Sequence, residues 1–332
     1  MYERFKKPNA KILVGTSFED TGSHLHEYAK NFSDLLEAKV RLTHVNDVVL
    51  SHAWGQVYPS GYYDPALLKA LEQEAKADAE KQLGDIARRN YPPRYEVETS
   101  CLTGLIADTL DADARTSHSS VILVGLAERS YRYIPKGLST ALSLMSSSHL
   151  PVIAVPHNVT SVRESNSINL VVCDDLHEHS FAAITTAVEL AAALKNANVF
   201  HLHVHKESQD RVKKTARHIL ELMDLGRIPL DKEFSAERFF TETKTKIRQK
   251  LESRIGDARL VIEENGGRYL PEVLFGNVAE NLKNYTEETR PDMLVFGRHE
   301  LLHKKPLSIG KLPFYSITQL GIPILVAPTI IV

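Results

Sequence analysis

The 332 residues carry 40 Lys and Arg against 42 Asp and Glu, a formal net charge of −2, with 43% hydrophobic and 25% charged residues. That length suits two domains, and the near-neutral charge gives no electrostatic footprint for nucleic acid. The longest apolar runs, as at 292–297 and 322–332, are strand-sized and well short of the roughly 18 residues that mark a membrane span.

The N-terminus, MYERFKKPNAKILVG, starts basic but has no long apolar core, so no signal peptide is expected. Strand and helix patterns then alternate. KILVG reads as a strand and HLHEYAKNFSDLLEA as a helix with an apolar face. VRLTHV is a strand, DPALLKALEQEAKADAEKQLGDIARRN a long helix and YEVETSCL a strand. GLIADTLDADART is a helix, VILVG a strand, STALSLMSS a helix and PVIAVP a strand. Continuous Val/Ile/Leu runs fit strands buried on both faces. Alternation of this kind predicts an α/β fold, a parallel sheet wrapped by helices with right-handed crossovers.

The polar stretch HNVTSVRESN follows, and then the pattern repeats. TGLIADTLDADARTSHSSVILVG (103–125) aligns without a gap to FGNVAENLKNYTEETRPDMLVFG (275–297). At that offset of 172, Gly104 meets Gly276, Gly125 meets Gly297, Glu128 meets Glu300, Pro151 meets Pro323 and Pro156 meets Pro328. AKVRLTHV (38–45) aligns with ANVFHLHV (197–204) at an offset of 159, so the second copy holds 13 extra residues, placed in or near 225–270. The expected domains are 1–158 and 159–332. Each is expected to be an open, five-stranded, mostly parallel sheet with flanking helices.

Ligands of such sheets bind beyond the carboxyl ends of the strands, where strand order switches. After its first strand, copy one reads ILVGTSFEDTGS and copy two LVVCDDLHEHS; after its fourth, copy one reads GLAERSYRYIPKGLS and copy two GRHELLHKKPLSIGK. These stretches resemble the universal stress protein family, and the resemblance spans both copies. It implies a Rossmann-like, adenine nucleotide alpha hydrolase-like fold with strand order 3-2-1-4-5. It also implies an Asp at the first strand's tip on the adenine and ribose side, a Val after the strand-two His near the base, and a G-x-x-G-x9-G-[S/T] loop around the phosphates. Glycines let the backbone approach phosphate oxygens, and N–H groups at a helix start face the anion.

Carried over by position, the Asp is Asp175, with Asp174 as the one-residue alternative, and the Val is Val204. Gly297 and Gly310 keep the first and third loop glycines of copy two; Glu300 takes the second and Lys311 the hydroxyl position. Arg298, Lys304, Lys305 and Lys311 are the cations available to offset Glu300. Copy one keeps only Gly125 and Ser139, with Glu128 and Leu138 at the other glycine positions and Ser17 at the Asp position. The resemblance therefore implies a stress-response ligand sensor without enzymatic activity, taking ATP or another adenine nucleotide, with Mg²⁺ beside it, in the second domain. The alternative is a nucleotide-free carrier or interaction module with a cavity for an apolar ligand. A weak ATP hydrolase would need a Mg²⁺ site and a water-positioning residue, and neither stands out.

Three further features complete the reading. His201, His203 and His205 alternate along one strand and share a face; zinc on that face competes with a buried structural role for His203, which His44 in copy one favours. VLSHAWGQVYPSGYYDP (49–65), with the only Trp, either lids a cleft or packs on the other half. Cys101 and Cys173 lie in apolar surroundings without metal-binding spacing, which fits thiols of a reducing, cytoplasmic compartment. PVIAVP and PILVAP are expected to pair within one chain, as an internal pseudo-dimer that leaves a further homodimer open.

Overall fold

The computed structural model describes residues 4–6, 10–18, 23–47, 65–126, 136–162, 167–229, 233–298 and 309–329. The aromatic stretch up to residue 64, Glu128, Glu300, Lys304 and Lys305 lie outside the described residues, as does the side chain of Ser139. The chain forms two compact units, one of residues 1–166 with 298–332 and one of residues 167–297.

In the first unit, β1 (Lys11–Gly15) leads to α1 (Ser23–Leu36), β2 (Lys39–Asp47) and the long α2 (Pro65–Asn90). Then come β3 (Val97–Gly104), α3 (Ile106–Thr116), β4 (Val121–Gly125), α4 (Lys136–Ser147) and β5 (Val152–Val155). β1 pairs in parallel with β2 and β4, β2 with β3, and β4 with β5, which gives the order β3-β2-β1-β4-β5. The central strands read as apolar runs because both their faces are covered: Ile12, Leu13, Ile122, Leu123 and Ile153 are fully buried.

The C-terminal segment adds α10 (Lys311–Gln319) and β10 (Ile324–Ala327) to this unit. β10 pairs antiparallel with β5, Leu325 opposite Ile153. Both four-residue strands, VIAV and ILVA, are buried throughout.

The second unit repeats the order. β6 (Ile168–Cys173), α5 (Ser180–Leu194) and β7 (Ala197–His205) are followed by three helices, α6 (Gln209–Asp224), α7 (Ala236–Ile255) and α8 (Ala258–Glu264). β8 (Tyr269–Phe275), α9 (Val278–Thr289) and β9 (Met293–Gly297) complete it. β6 pairs in parallel with β7 and β9, and β7 with β8, so the order is β8-β7-β6-β9.

The extra length of copy two lies between β7 and β8, where helices α6 to α8 stand. Local chemistry delimits them. Ser208 accepts from Arg211 N–H at the start of α6, Ser235 from Arg238 N–H at the start of α7, and Gly256 ends α7 at φ +53°. α5 is apolar on nearly every side (SFAAITTAVELAAAL), and twelve of its residues are buried. Among the described residues no helix is long and apolar enough to cross a membrane.

Candidate functional site

The carboxyl ends of β6, β7 and β9 bring Asp175, Val204 and Gly297 to one edge of the second unit's sheet. The register sets this: Cys173 is level with Leu202 on one side and Phe296 on the other, so the residues just beyond those points neighbour one another. Asp174 N–H still donates to Leu202 O at 2.9 Å, and the chain then leaves the sheet.

The two adjacent aspartates part company there. Asp174 has a fully buried side chain, whereas that of Asp175 is 47% exposed. Asp174 Oδ2 receives His201 Nε2 at 2.9 Å and Arg254 Nε at 2.6 Å, and its Oδ1 accepts Leu176 N–H at 2.6 Å. His201 Nδ1 in turn meets the Tyr269 hydroxyl at 2.9 Å. Burial would raise the Asp174 pKa, but hydrogen bonds and charges from His201 and Arg254 outweigh it and hold the carboxyl below its ordinary value.

Asp175 sits in a lighter network. Its Oδ1 accepts Ser180 Oγ at 2.7 Å and His177 N–H at 3.0 Å, and its Oδ2 faces His179 Nε2 at 2.9 Å. Burial again pushes upward, and the Ser180 and His177 bonds overcome it, so this carboxyl also stays below the ordinary range. A carboxylate accepts about four hydrogen bonds. Three are described here, and the remaining lone pair belongs to Oδ2 on a half-exposed group. Val204 lies half-buried near the end of β7, opposite Leu274 of β8.

Gly297 has a packing reason to be glycine. A Cβ there would lie 2.4 Å from His179 O and 3.1 Å from Ser180 Cα, so the missing side chain lets the start of α5 approach β9. Gly125, its counterpart in the first unit, is not so confined; a Cβ would meet His24 Nε2 at an ordinary 3.4 Å.

The other expected loop residues belong to the first unit. Arg298 N–H donates to Ala327 O at 2.9 Å, and its Nη1 donates to Ser148 O at 2.7 Å, one residue past the end of α4. A cation at a helix C-terminus satisfies an orphan carbonyl and complements the dipole. Gly310 caps α10 at φ +90°, a conformation that glycine adopts without strain. Lys311 is the exposed first residue of α10, and Ser139 lies in the first turn of α4. The two sets of residues thus divide between the units: Asp175, Val204 and Gly297 in one, Arg298, Gly310, Lys311, Gly125 and Ser139 in the other.

The histidine face is committed to structure. His203 Nδ1 donates to Asp174 O at 2.8 Å, and both ring nitrogens of His201 have partners. Burial, ahead of the opposing Asp174 hydrogen bond, lowers the His203 pKa and keeps its ring neutral. Among the described residues no three His, Cys, Asp or Glu side chains converge to hold a metal ion. Both cysteines are free; Cys101 is buried and Cys173 half-buried.

Sequence reasoning missed Arg254, and with it the Asp174–His201–Arg254 network. A signal was present in the repeat. Where copy two has Asp174 and His201, copy one has Thr16 and Leu42, so two matching positions become ionisable together.

Open parallel sheets in the order 3-2-1-4, once in each unit and with an acidic strand tip in the second, define a tandem α/β protein of the Rossmann-like class. Residues 168–328 match the universal stress protein family. The chain therefore carries a universal stress protein domain over its second half. No curated protein matches the chain. Among solved structures, it is similar to a universal stress protein from Archaeoglobus fulgidus at 13% identity and a TM-score of 0.61, covering 98% of this chain and 97% of that one. It is also similar to a functionally unknown protein from Pseudomonas aeruginosa at 13% identity and a TM-score of 0.51, covering 97% of this chain and 93% of that one. At such identities the likeness concerns the fold.

Proposed function

We propose that this protein is a non-enzymatic ligand sensor of the cytoplasm whose second unit takes the adenosine end of an adenine nucleotide. The observation that carries this reading is Asp175. Its carboxylate stands half-exposed at the strand tip with a lone pair to offer, while the neighbouring Asp174 is wholly committed inside. A ribose hydroxyl or an adenine amino group is the donor that such an acceptor fits. Val204, half-buried at the end of the adjacent strand, offers the apolar contact for a base.

The phosphate side has weaker support. Gly297 is accounted for by the approach of His179, and the Arg298 guanidinium by Ser148. Gly310 and Lys311 belong to the first unit. The reading therefore assigns most of the affinity to the nucleoside, not to the phosphates.

Calorimetric titration of ATP and of adenosine into nucleotide-free protein, with and without Mg²⁺, tests it. Both ligands are expected to bind at about one site per chain, with similar affinity, and Asp175→Ala is expected to abolish both. Absence of heat with either ligand at millimolar concentration would overturn the reading and direct the search to apolar ligands carried without a nucleotide.

A further inference from the structure

We propose that Arg254, supplied by α7 between β7 and β8, is a positioning residue that holds the Asp175-bearing turn in its binding-ready shape. Its ligand-binding arm rests on the reading of Asp175 given above; its structural arm does not.

The turn between β6 and α5 is strained. Leu176 has φ +66°, a left-handed conformation that costs a branched, non-glycine residue energy and persists only where the surroundings over-determine it. Two side chains of the turn itself contribute: Asp174 Oδ1 accepts Leu176 N–H, and Asp175 Oδ1 accepts His177 N–H. Asp175 points where it does because this turn is closed.

Arg254 pins the turn from outside at three places. Its Nε donates to Asp174 Oδ2 at 2.6 Å, before the strained residue. Its Nη2 donates to His177 O at 2.7 Å, after it. Its guanidinium lies 4.0 Å over the ring of Phe181 in the first turn of α5. With its side chain only 8% exposed, it is a buried three-way clamp. A planar, forked guanidinium can serve all three contacts at once, and a lysine ammonium on a single stem cannot.

The repeat ties the clamp to the binding group. Copy one has Thr16 for Asp174, Leu42 for His201 and Ser17 for Asp175. The clamp's carboxylate partner and the candidate ligand group occur together in one copy and are absent together from the other. Because coupling between two sites is reciprocal, a ligand on Asp175 would in turn tighten α7.

The test uses the full chain with Arg254→Lys and, for a larger loss, Arg254→Gln. Three quantities are read: amide hydrogen exchange at Leu176 and His177, the urea midpoint, and the affinity for ATP. Arg254→Lys keeps a cation beside Asp174 and is expected to leave the urea midpoint near that of the unaltered protein. Exchange at Leu176 and His177 should accelerate by about tenfold while amides of β8 stay unchanged, and ATP affinity should fall by about the same factor. Unchanged exchange at both amides in both variants would overturn the proposal, whatever happens to ATP binding. If exchange accelerates in a protein that never binds ATP, the clamp stands and the nucleotide reading falls. Should Arg254→Gln fail to fold, Arg254→Lys alone decides.

Discussion

The ring nitrogen Nδ1 of His203 lies 2.8 Å from the main-chain oxygen of Asp174. In the first unit His44 Nδ1 lies 2.9 Å from the oxygen of Thr16, the matching position. In both units, then, a histidine on the second strand bonds the first carbonyl beyond the end of the first strand. That carbonyl is where the sheet ladder stops and a backbone acceptor would otherwise be left with no strand partner. A feature that recurs in both units, one of which lacks the Asp at the strand tip, belongs to the architecture of the tip and not to a metal or a ligand.

His203→Ala is accordingly expected to destabilise the second unit by about 1–3 kcal/mol, the cost of an unsatisfied buried acceptor plus lost packing. His44→Ala should cost less, because His44 is only half-buried. Urea unfolding with and without zinc measures both. A midpoint that rises with zinc in the unaltered protein, and not in His203→Ala, would contradict the structural role.

Gly297 and Gly125 occupy the same position of the repeat but carry different constraints. Gly297→Ala puts a methyl group 2.4 Å from the His179 carbonyl, a backbone atom that cannot swing aside, so the start of α5 must shift. A loss of roughly 2–4 kcal/mol is expected, in the range of overpacking at a tight backbone contact. Gly125→Ala meets only ordinary contacts and should change stability by less than about 1 kcal/mol, in either direction. Thermal or urea unfolding of the two variants side by side checks this, and equal losses would show that the His179 contact does not decide.

The contrast between these glycines shows what was legible in the sequence. Strand and helix order could be read because parallel strands buried on both faces leave unbroken apolar runs such as VILVG and MLVF, and because the pattern occurs twice. The repeat also placed Gly297 on a strand end. It could not distinguish a glycine that approaches a phosphate from one that approaches His179, since both need the same missing Cβ. Arg254 was beyond reach for another reason. Its partner Asp174 is 80 residues away in sequence. The region 225–270 was visible as extra length with turn signals, but nothing local marks which of its many cations turns inward.

The Asp174–His201–Arg254 network makes a sharper energetic prediction. Asp174→Ala leaves a guanidinium and an imidazole facing each other where exposure is 8% and 1%, and should cost about 3–5 kcal/mol. Replacing the network as a whole costs less, because no charge is then stranded. Asp174→Thr, His201→Leu, Arg254→Met and Tyr269→Phe combined follow the uncharged pattern of copy one at the two matched positions. The combination is expected to recover most of the loss, while raising exchange at Leu176 and His177 as the Arg254 variants do. Denaturant unfolding with hydrogen exchange on the same samples separates the two effects. A combined variant no more stable than Asp174→Ala would mean that the network contributes net stability beyond charge balance.

The pH dependence of stability should be dominated above pH 4 by histidines. His26 of α1 is 3% exposed, its Nδ1 3.3 Å from the Tyr91 hydroxyl, and burial together with nearby His24 lowers its pKa from 6.5 to about 4. Below pH 6.5 the unfolded chain takes up a proton at this site that the folded protein refuses, so folding stability falls as pH drops from about 6.5 towards 4. From pH 7 to pH 4.5 the loss at His26 alone comes to ~2–3 kcal/mol. His203, lowered by burial, acts in the same direction. The depressed carboxyls of Asp111, Asp113, Asp174 and Asp175 stabilise above their ordinary pKa and add their own losses only below about pH 4. His26→Gln keeps a polar group near Tyr91 and removes the titration. Its urea midpoint should therefore decline less between pH 7 and pH 4.5 than that of the unaltered protein, with the residual slope set by His203. Equal slopes for the two proteins would place the titrating group elsewhere.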